Sequence, residues 1–203
     1  MLAFSFLFAA LAIPTALAGS ALRLRQSGCK GSIPGKIDTA SNITINALDS
    51  DAANSGGQGL PLVALVATIG GVETTYVLAT QATASTLVGS TTFADFSLQN
   101  DILAPIIPNT FSANLAVQPG LIIEFASGQI GQAIPEEFCG IANTDPAGGG
   151  ISEPLLSVNG DTSDFALCMS GPIGVIVFQP NADNSGEYDI DSCTSVDILI
   201  FEH

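Results

Sequence analysis

The chain has 203 residues, a formal net charge of −15, four Lys and Arg, 19 Asp and Glu, and no Trp. All four basic residues lie between Arg23 and Lys36, and every carboxylate follows Ile37. That field repels nucleic acid and acidic polysaccharide, and 47% hydrophobic residues argues against disorder.

The N-terminus opens with an apolar run, Leu2 to Ile13, followed by Pro14 and the small-residue triplet Ala16-Leu17-Ala18. This is the pattern of a secretory signal peptide over 1–18, with cleavage after Ala18. The run is too short for a membrane helix, which needs about 20 apolar residues. No later segment reads as a membrane span, and the tail "SVDILIFEH" is not a lipid-anchor signal. An extracellular, secreted protein is expected, long enough for one domain with its own core.

Residues 19–37 read as a polar, basic arm. Arg25 in "LRLRQ" is a candidate processing position, although an ordinary solvated arm explains it better. The segment 38–203 reads as an all-β domain. Runs rich in Val, Ile, Leu, Phe and Thr alternate with Gly, Pro, Asn and Asp turns, and none shows helical periodicity. Strands are predicted over 42–48, 60–67, 74–80, 93–99, 112–118, 121–126, 154–159, 164–168, 174–179, 187–192 and 195–201. A three-part echo, "TINALD" (44–49), "SLQND" (97–101) and "SVNGD" (157–161), favours a β-trefoil-like barrel over a two-sheet β-sandwich.

Four cysteines remain after cleavage: Cys29, Cys139, Cys168 and Cys193. In an exported chain they read as two disulfides, for which three pairings exist. Cys168–Cys193 with Cys29–Cys139 is favoured. The first closes a local unit of two or three strands, and the second staples the arm to the body. A cysteine metal site lacks both C-x-x-C spacing and a partnering histidine. Asn42, in "NIT", is the one N-x-S/T sequon and a candidate glycosylation site.

The texture of "LLSVNGDTSDFALC", "VIVFQP" and "YDIDSCTSVDILI" resembles small secreted β-rich proteins of filamentous fungi, over about residues 40–203. The resemblance implies a secreted fungal protein and the Cys168–Cys193 pairing. It brings no catalytic residues.

Residues suited to catalysis are few. The one histidine is His203, Lys36 is the last lysine, and no G-x-S-x-G, P-loop or G-x-G-x-x-G occurs. Carboxylate chemistry remains. "GDTSD" places Ser163 where an aspartic-protease loop around Asp161 needs glycine. Glu136 and Glu137 are adjacent and should diverge. Glu124, in "LIIEFA", either has a raised pKa or faces solvent opposite Ile123 and Phe125, and alternation favours solvent.

The acidic stretch "NADNSGEYDIDSC" (181–193) overlays in part on a calcium loop, with Asp183, Glu187 and Asp189 as ligands of a weak Ca site. The bidentate acid is missing at its last position, which holds Ser192. Period two explains more: Glu187, Asp189 and Asp191 on one strand face, Tyr188 and Ile190 on the other, with "NADNSG" as the turn back to "GVIVFQ".

The sequence therefore points to a secreted, acidic, disulfide-stabilised β protein of the extracellular space or cell wall. Its expected role is structural or interactive rather than enzymatic, with cell-wall polysaccharide or an extracellular protein as partner. A carbohydrate-binding module and a carboxylate-only hydrolase working at acid pH are the alternatives. Sugar platforms use exposed aromatics, and with no Trp, two Tyr and Phe mostly at core positions the aromatic count argues against the former; an exposed Tyr76 or a Phe on a rim would favour it. Unpaired like charges should also make the fold more stable near pH 4 to 5 than at pH 8.

Overall fold

Several runs of this chain, such as "LPLVALV" and "GVIVF", are apolar at nearly every position. Such runs form strands only where both faces are covered. The computed structural model describes residues 29, 35–50, 57–69, 73–128, 130–131, 133–143 and 152–203. The expected signal peptide, Arg25 and most of the basic arm lie outside these residues.

The N-terminal block comprises β1 (Lys36–Ile37), β2 (Thr39–Asp49), β3 (Leu60–Ile69) and β4 (Glu73–Thr80), closed by one helical turn, α1 (Gln81–Ala84). The middle block carries short strands: β5 (Thr92–Phe93), β6 (Phe96–Gln99), β7 (Ile102–Pro105), β8 (Ser112–Asn114), β9 (Glu124–Gly128), β10 (Phe138–Ile141) and β11 (Leu155–Val158). The C-terminal block is β12 (Phe165–Ser170), β13 (Ile173–Phe178) and β14 (Asp189–Glu202).

Six of these strands close a barrel within a single compact all-β domain, in the order β2, β3, β4, β13, β12, β14 and back to β2. Every pairing is antiparallel. The expectation of an all-β barrel is met. Its strands come as three from each end of the chain, and the echoed segments do not occupy equivalent places. Residues 44–49 lie inside β2, whereas 97–101 and 157–161 end in tight turns off the barrel. Those two echo each other because both turns need positive φ at two central residues, Asn100 and Asp101 (51° and 65°) and Asn159 and Gly160 (54° and 85°).

Alternation divides the barrel strands between two clusters. Leu62, Ala64, Tyr76, Leu78, Phe165, Ile176 and Phe178 join Ile43, Ile45, Val196, Ile198 and Ile200 in the main core. Val63, Leu65, Ala79, Ala166, Val175 and Val177 point the other way, into a second cluster with Ala84, Leu87 and Tyr188. Phe96 and Phe125, and Phe165 and Phe178, pack with ring centroids 5.8 and 5.6 Å apart.

Strand β14 completes the barrel. Its first half pairs with β12, its second half with β2 from Val196↔Asp49 to Glu202↔Ile43, and Leu199 also faces Leu155 of β11. The segments predicted as 187–192 and 195–201 are thus one strand. The polar "CTS" breaks the apolar alternation where the chain passes from one sheet to the next, but the backbone pairing continues. Its partner also differs from the expected one. Residues 181–186 do not return the chain onto β13, because β12 lies between β13 and β14.

Other boundaries shift. The segment 93–99 divides at Ala94–Asp95, with β5 on β3 and β6 on β2. The segment 112–118 shortens to β8. Strands β7 and β10 escape the pattern because each has only four residues, β7 ends in Pro105, and β10 contains Gly140.

Both favoured disulfides are present. Cys29–Cys139 ties the arm to β10, and Cys168–Cys193 joins neighbouring strands β12 and β14. In the loop-entropy picture bridges across these separations of 110 and 25 residues contribute about 5 and about 3 kcal/mol. Among the described residues no helix is long and apolar enough to cross a membrane.

Lys36 is the only Lys or Arg among the described residues. Its Nζ stands 3.0 Å from both carboxylate oxygens of Asp101, whose side chain is only 8% exposed. Lys36 donates a hydrogen bond to Oδ2; among the described residues Oδ1 accepts none and has only the charge contact. Asp101 also accepts the Phe138 N–H on its carbonyl and donates its own N–H to Asp38. One ion pair therefore joins β1, the β6–β7 turn and the start of β10. Lys36→Met leaves a buried carboxylate without its cation and should cost about 3 to 5 kcal/mol in urea unfolding. Adding Asp101→Asn should recover much of that loss. A Lys36→Met protein within 1 kcal/mol of wild type would contradict this role, since that lies well below the expected cost.

Candidate ligand groove and the carboxylate turn

The β6–β7 hairpin buries Phe96, Leu98 and Leu103 and turns its other face outward. Register pairs Ser97 with Ala104 and Gln99 with Ile102, so these four side chains pave one outer surface. The loop after β7 stands beside it and makes a groove of about 310 Å³. Phe111 on that loop is 60% exposed, and Ile106 beside it 43%. The volume is at the small end of the range typical of ligand sites.

Local bonds fix the wall. The Ile106 N–H donates to the Asp95 carbonyl at 2.7 Å, and Thr110 N–H to Ile107. Asn109 takes φ 58°, a left-handed geometry that asparagine tolerates. The Ser112 hydroxyl donates to the Pro105 carbonyl, and the Gly128 N–H to the Phe111 carbonyl. Below, the buried Asn114 accepts the Leu103 N–H at 3.1 Å and donates to the Leu115 and Pro135 carbonyls. The exposed ring is thus mounted on pinned backbone.

Sequence reasoning missed Phe111 because most Phe residues read as core, and Phe96, Phe125, Phe138 and Phe165 are indeed fully buried. The available signal was its setting: "PNTFS" puts a Phe among turn residues, outside any alternation. Tyr76 is buried, bonded through its hydroxyl to Ser127 at 2.9 Å and packed edge-on against Phe93.

The acidic stretch forms a turn leading into β14. Glu187, Asp189 and Asp191 are exposed and Tyr188 is buried, as period two requires. The Tyr188 hydroxyl donates to the Gly120 carbonyl at 3.0 Å and accepts the Asn181 N–H. A Cβ at Gly120, which has φ +82°, would stand 2.1 Å from Asn181 Nδ2, so this docking requires glycine. Atoms that a calcium loop would use are engaged within the protein. Asn181 Oδ1 accepts the Asp183 N–H, and the Glu187 carbonyl accepts the Ser170 hydroxyl. The structure holds Asp183 and Glu187 in this turn and Asp189 at the start of β14. Among the described residues no three His, Cys, Asp or Glu side chains gather where they could hold a metal ion.

Among the described residues three carboxylates are raised above their ordinary range. Burial raises Glu124, with the charge of Glu187 adding to it. Glu124 nevertheless faces solvent at the head of β9, between the fully buried Ile123 and Phe125. Burial also raises Glu137, partly offset by the Val117 N–H it accepts at 2.7 Å. Burial alone raises Asp197. Glu136 is exposed while Glu137 is half-buried, so the two diverge. Asp161 accepts the Ser163 N–H and hydroxyl within its own turn. His203 lies 2.9 Å from the Thr44 hydroxyl on the surface.

A second cavity, of about 320 Å³, is lined by Ile37, Pro154, Ile200 and Phe201 with Glu153 and Glu202 at its edge. Neither cavity includes Glu124 or Glu187. Comparison with protein-family models, curated proteins and solved structures yields no match.

The raised carboxylates give stability a definite sign. A raised folded-state value means that the folded protein binds the proton more tightly than the unfolded chain. The contribution is complete below the ordinary carboxylate range and is lost as pH climbs through the folded values. The melting temperature in low salt should therefore be higher at pH 5 than at pH 8, by a few degrees. Glu137→Gln, which keeps an acceptor for Val117, should flatten that slope. A melting temperature rising steadily from pH 5 to 8 would contradict the assignment.

Proposed function

We propose that this chain is an exported protein that works by binding, not catalysis, with the groove beside Phe111 as its contact surface. Phe111 carries the reading. Exposing a Phe costs apolar burial, and this one is fixed on the rim of a concave surface by hydrogen bonds on either side. Two disulfides support an oxidising destination, and the signal-peptide pattern over 1–18 and the likeness to small secreted fungal proteins agree with it. Asn42 supports the same route. It is exposed, with φ 54°, where the β2–β6 register slips between Ala40 and Ile43, so a glycan there would project into solvent.

The acid-pH hydrolase reading has one favourable observation, the raised Glu124 close enough to feel Glu187. No cavity described above brings a substrate to that pair, so binding is the better-supported reading.

Expression of the full chain in a eukaryotic secretory host should deliver protein to the medium that begins at Gly19 and has no free thiols. Enzymatic removal of N-glycans should lower its mass, and Asn42→Gln should abolish that change. Retention inside the cell with intact residues 1–18 would overturn the export part. For the contact surface, isolated extracellular matrix or cell wall should retain the wild type and release Phe111→Ala several-fold more readily. Equal retention would overturn the assignment of the groove.

A further inference from the structure

The chemistry of the groove selects its ligand. No charged side chain lines it, although the chain carries −15 overall. An anion approaching it meets a repulsive field, and a cation finds no carboxylate in the lining to pair with. A neutral molecule is what this surface accepts. The lining also divides into two kinds. Phe111, Ile106 and Ile102 offer apolar contact, while Gln99, Asn100 and Thr110 offer neutral amide and hydroxyl groups, and all three of these polar residues are exposed. Such a combination matches a sugar ring, which has an apolar C–H face and hydroxyls around its edge.

Placement agrees with chemistry. Gln99 and Asn100 lie at the turn end of the hairpin, and Phe111 belongs to the loop after its other end. A ligand touching both must lie along the hairpin's outer face. The groove opens to solvent.

We propose that this groove binds a neutral glycan chain, with one sugar ring on the face of Phe111 and neighbouring hydroxyls bonded to Gln99, Asn100 and Thr110. The proposal rests on the groove being the contact surface and adds the class of ligand. A phenyl face contributes through C–H contact and exclusion of water, and the amides fix the ring's orientation. Because the backbone of the wall is already pinned, little ordering is required on binding. Recognition by neutral groups should depend little on salt, unlike recognition by ion pairs.

The test uses the full mature protein and a panel of neutral oligosaccharides (β-glucan, chitin, mannan and starch fragments), with polygalacturonate as the anionic control. Binding is read by calorimetry or affinity electrophoresis for wild type, Phe111→Ala, Phe111→Trp and Gln99→Ala. At least one neutral glycan should bind, polygalacturonate should not, and affinity should vary less than twofold between 50 and 500 mM salt, as expected where no ion pair forms. Phe111→Ala should weaken binding about tenfold or more, as the loss of one stacked ring implies. Phe111→Trp should restore it, and Gln99→Ala should weaken it several-fold. Unchanged melting temperatures would separate these effects from misfolding.

Other outcomes overturn the proposal in distinguishable ways. Equal glycan affinity in Phe111→Ala would place the sugar elsewhere. If no neutral glycan binds but the neutral dye Nile red brightens only when Phe111 is present, the groove binds apolar ligands and the glycan assignment fails. If sedimentation shows a dimer that Phe111→Ala dissolves, the occupant is a second copy of the chain. If none of these signals depends on Phe111, the groove assignment fails as well.

Discussion

The architecture depends on the pairing of β14 with β12 along one half and β2 along the other. Without the second pairing the six strands would form an open sheet with two raw edges. With it they close, and only the side strands keep exposed backbone. Closure also explains the composition. Strands covered on both faces need apolar residues at consecutive positions, which accounts for a chain with only 11% charged residues that still folds. The middle of the chain then decorates the barrel. β6 attaches to the N-terminal end of β2, and β7 follows at the edge, so the groove hangs from a strand that closure holds fixed.

Electrostatics add a second constraint. Among the described residues Lys36 is the one Lys or Arg, and its closest carboxylate is that of Asp101 in the β6–β7 turn, with Asp38 at 3.9 Å. Asp101 sits there because a type I′ turn requires positive φ at its second residue, where Asp is tolerated and most residues are not. Burial of that turn against β10 would strand the carboxylate, and Lys36 removes the difficulty. The same contact draws the arm across the hairpin, where Cys29–Cys139 anchors the chain a second time. Protons are favoured on the carboxylates that burial raises. Burial is the leading cause of all three raised values, and like charge adds to it only at Glu124, through Glu187.

The fold class was legible because strand period and turn residues are local signals. The runs at 60–67, 74–80 and 174–179 survive almost unchanged as β3, β4 and β13. Two disulfides were expected once export was assumed, and the favoured one of three possible pairings is the one present. The strand order was not, since nothing local shows that β14 skips β13 to pair with β12. The three-part echo misled because Asn-Asp and Asn-Gly turns look like repeats when they share only the φ angles they must adopt. The groove was the least legible. Its floor consists of small or medium residues at alternate positions of two short strands, and its most telling member, Phe111, lies in a turn where sequence pattern gives no reason to look.

Why the proposed binding surface would sit on a side hairpin follows from these constraints. Among the described residues the main core is packed with Phe, Ile and Leu side chains at or near zero exposure. The second cluster covers the opposite face of β3, β4, β12 and β13 with α1 and the Tyr188 turn. The outer face of β6–β7 is left as a supported but uncovered sheet surface. The six-residue loop 106–111 is enough to wall it, and such loops vary without disturbing the core beneath. If the groove binds as proposed, the acidic surroundings would filter what reaches that wall, and a property of the whole chain would become selectivity at one aromatic side chain.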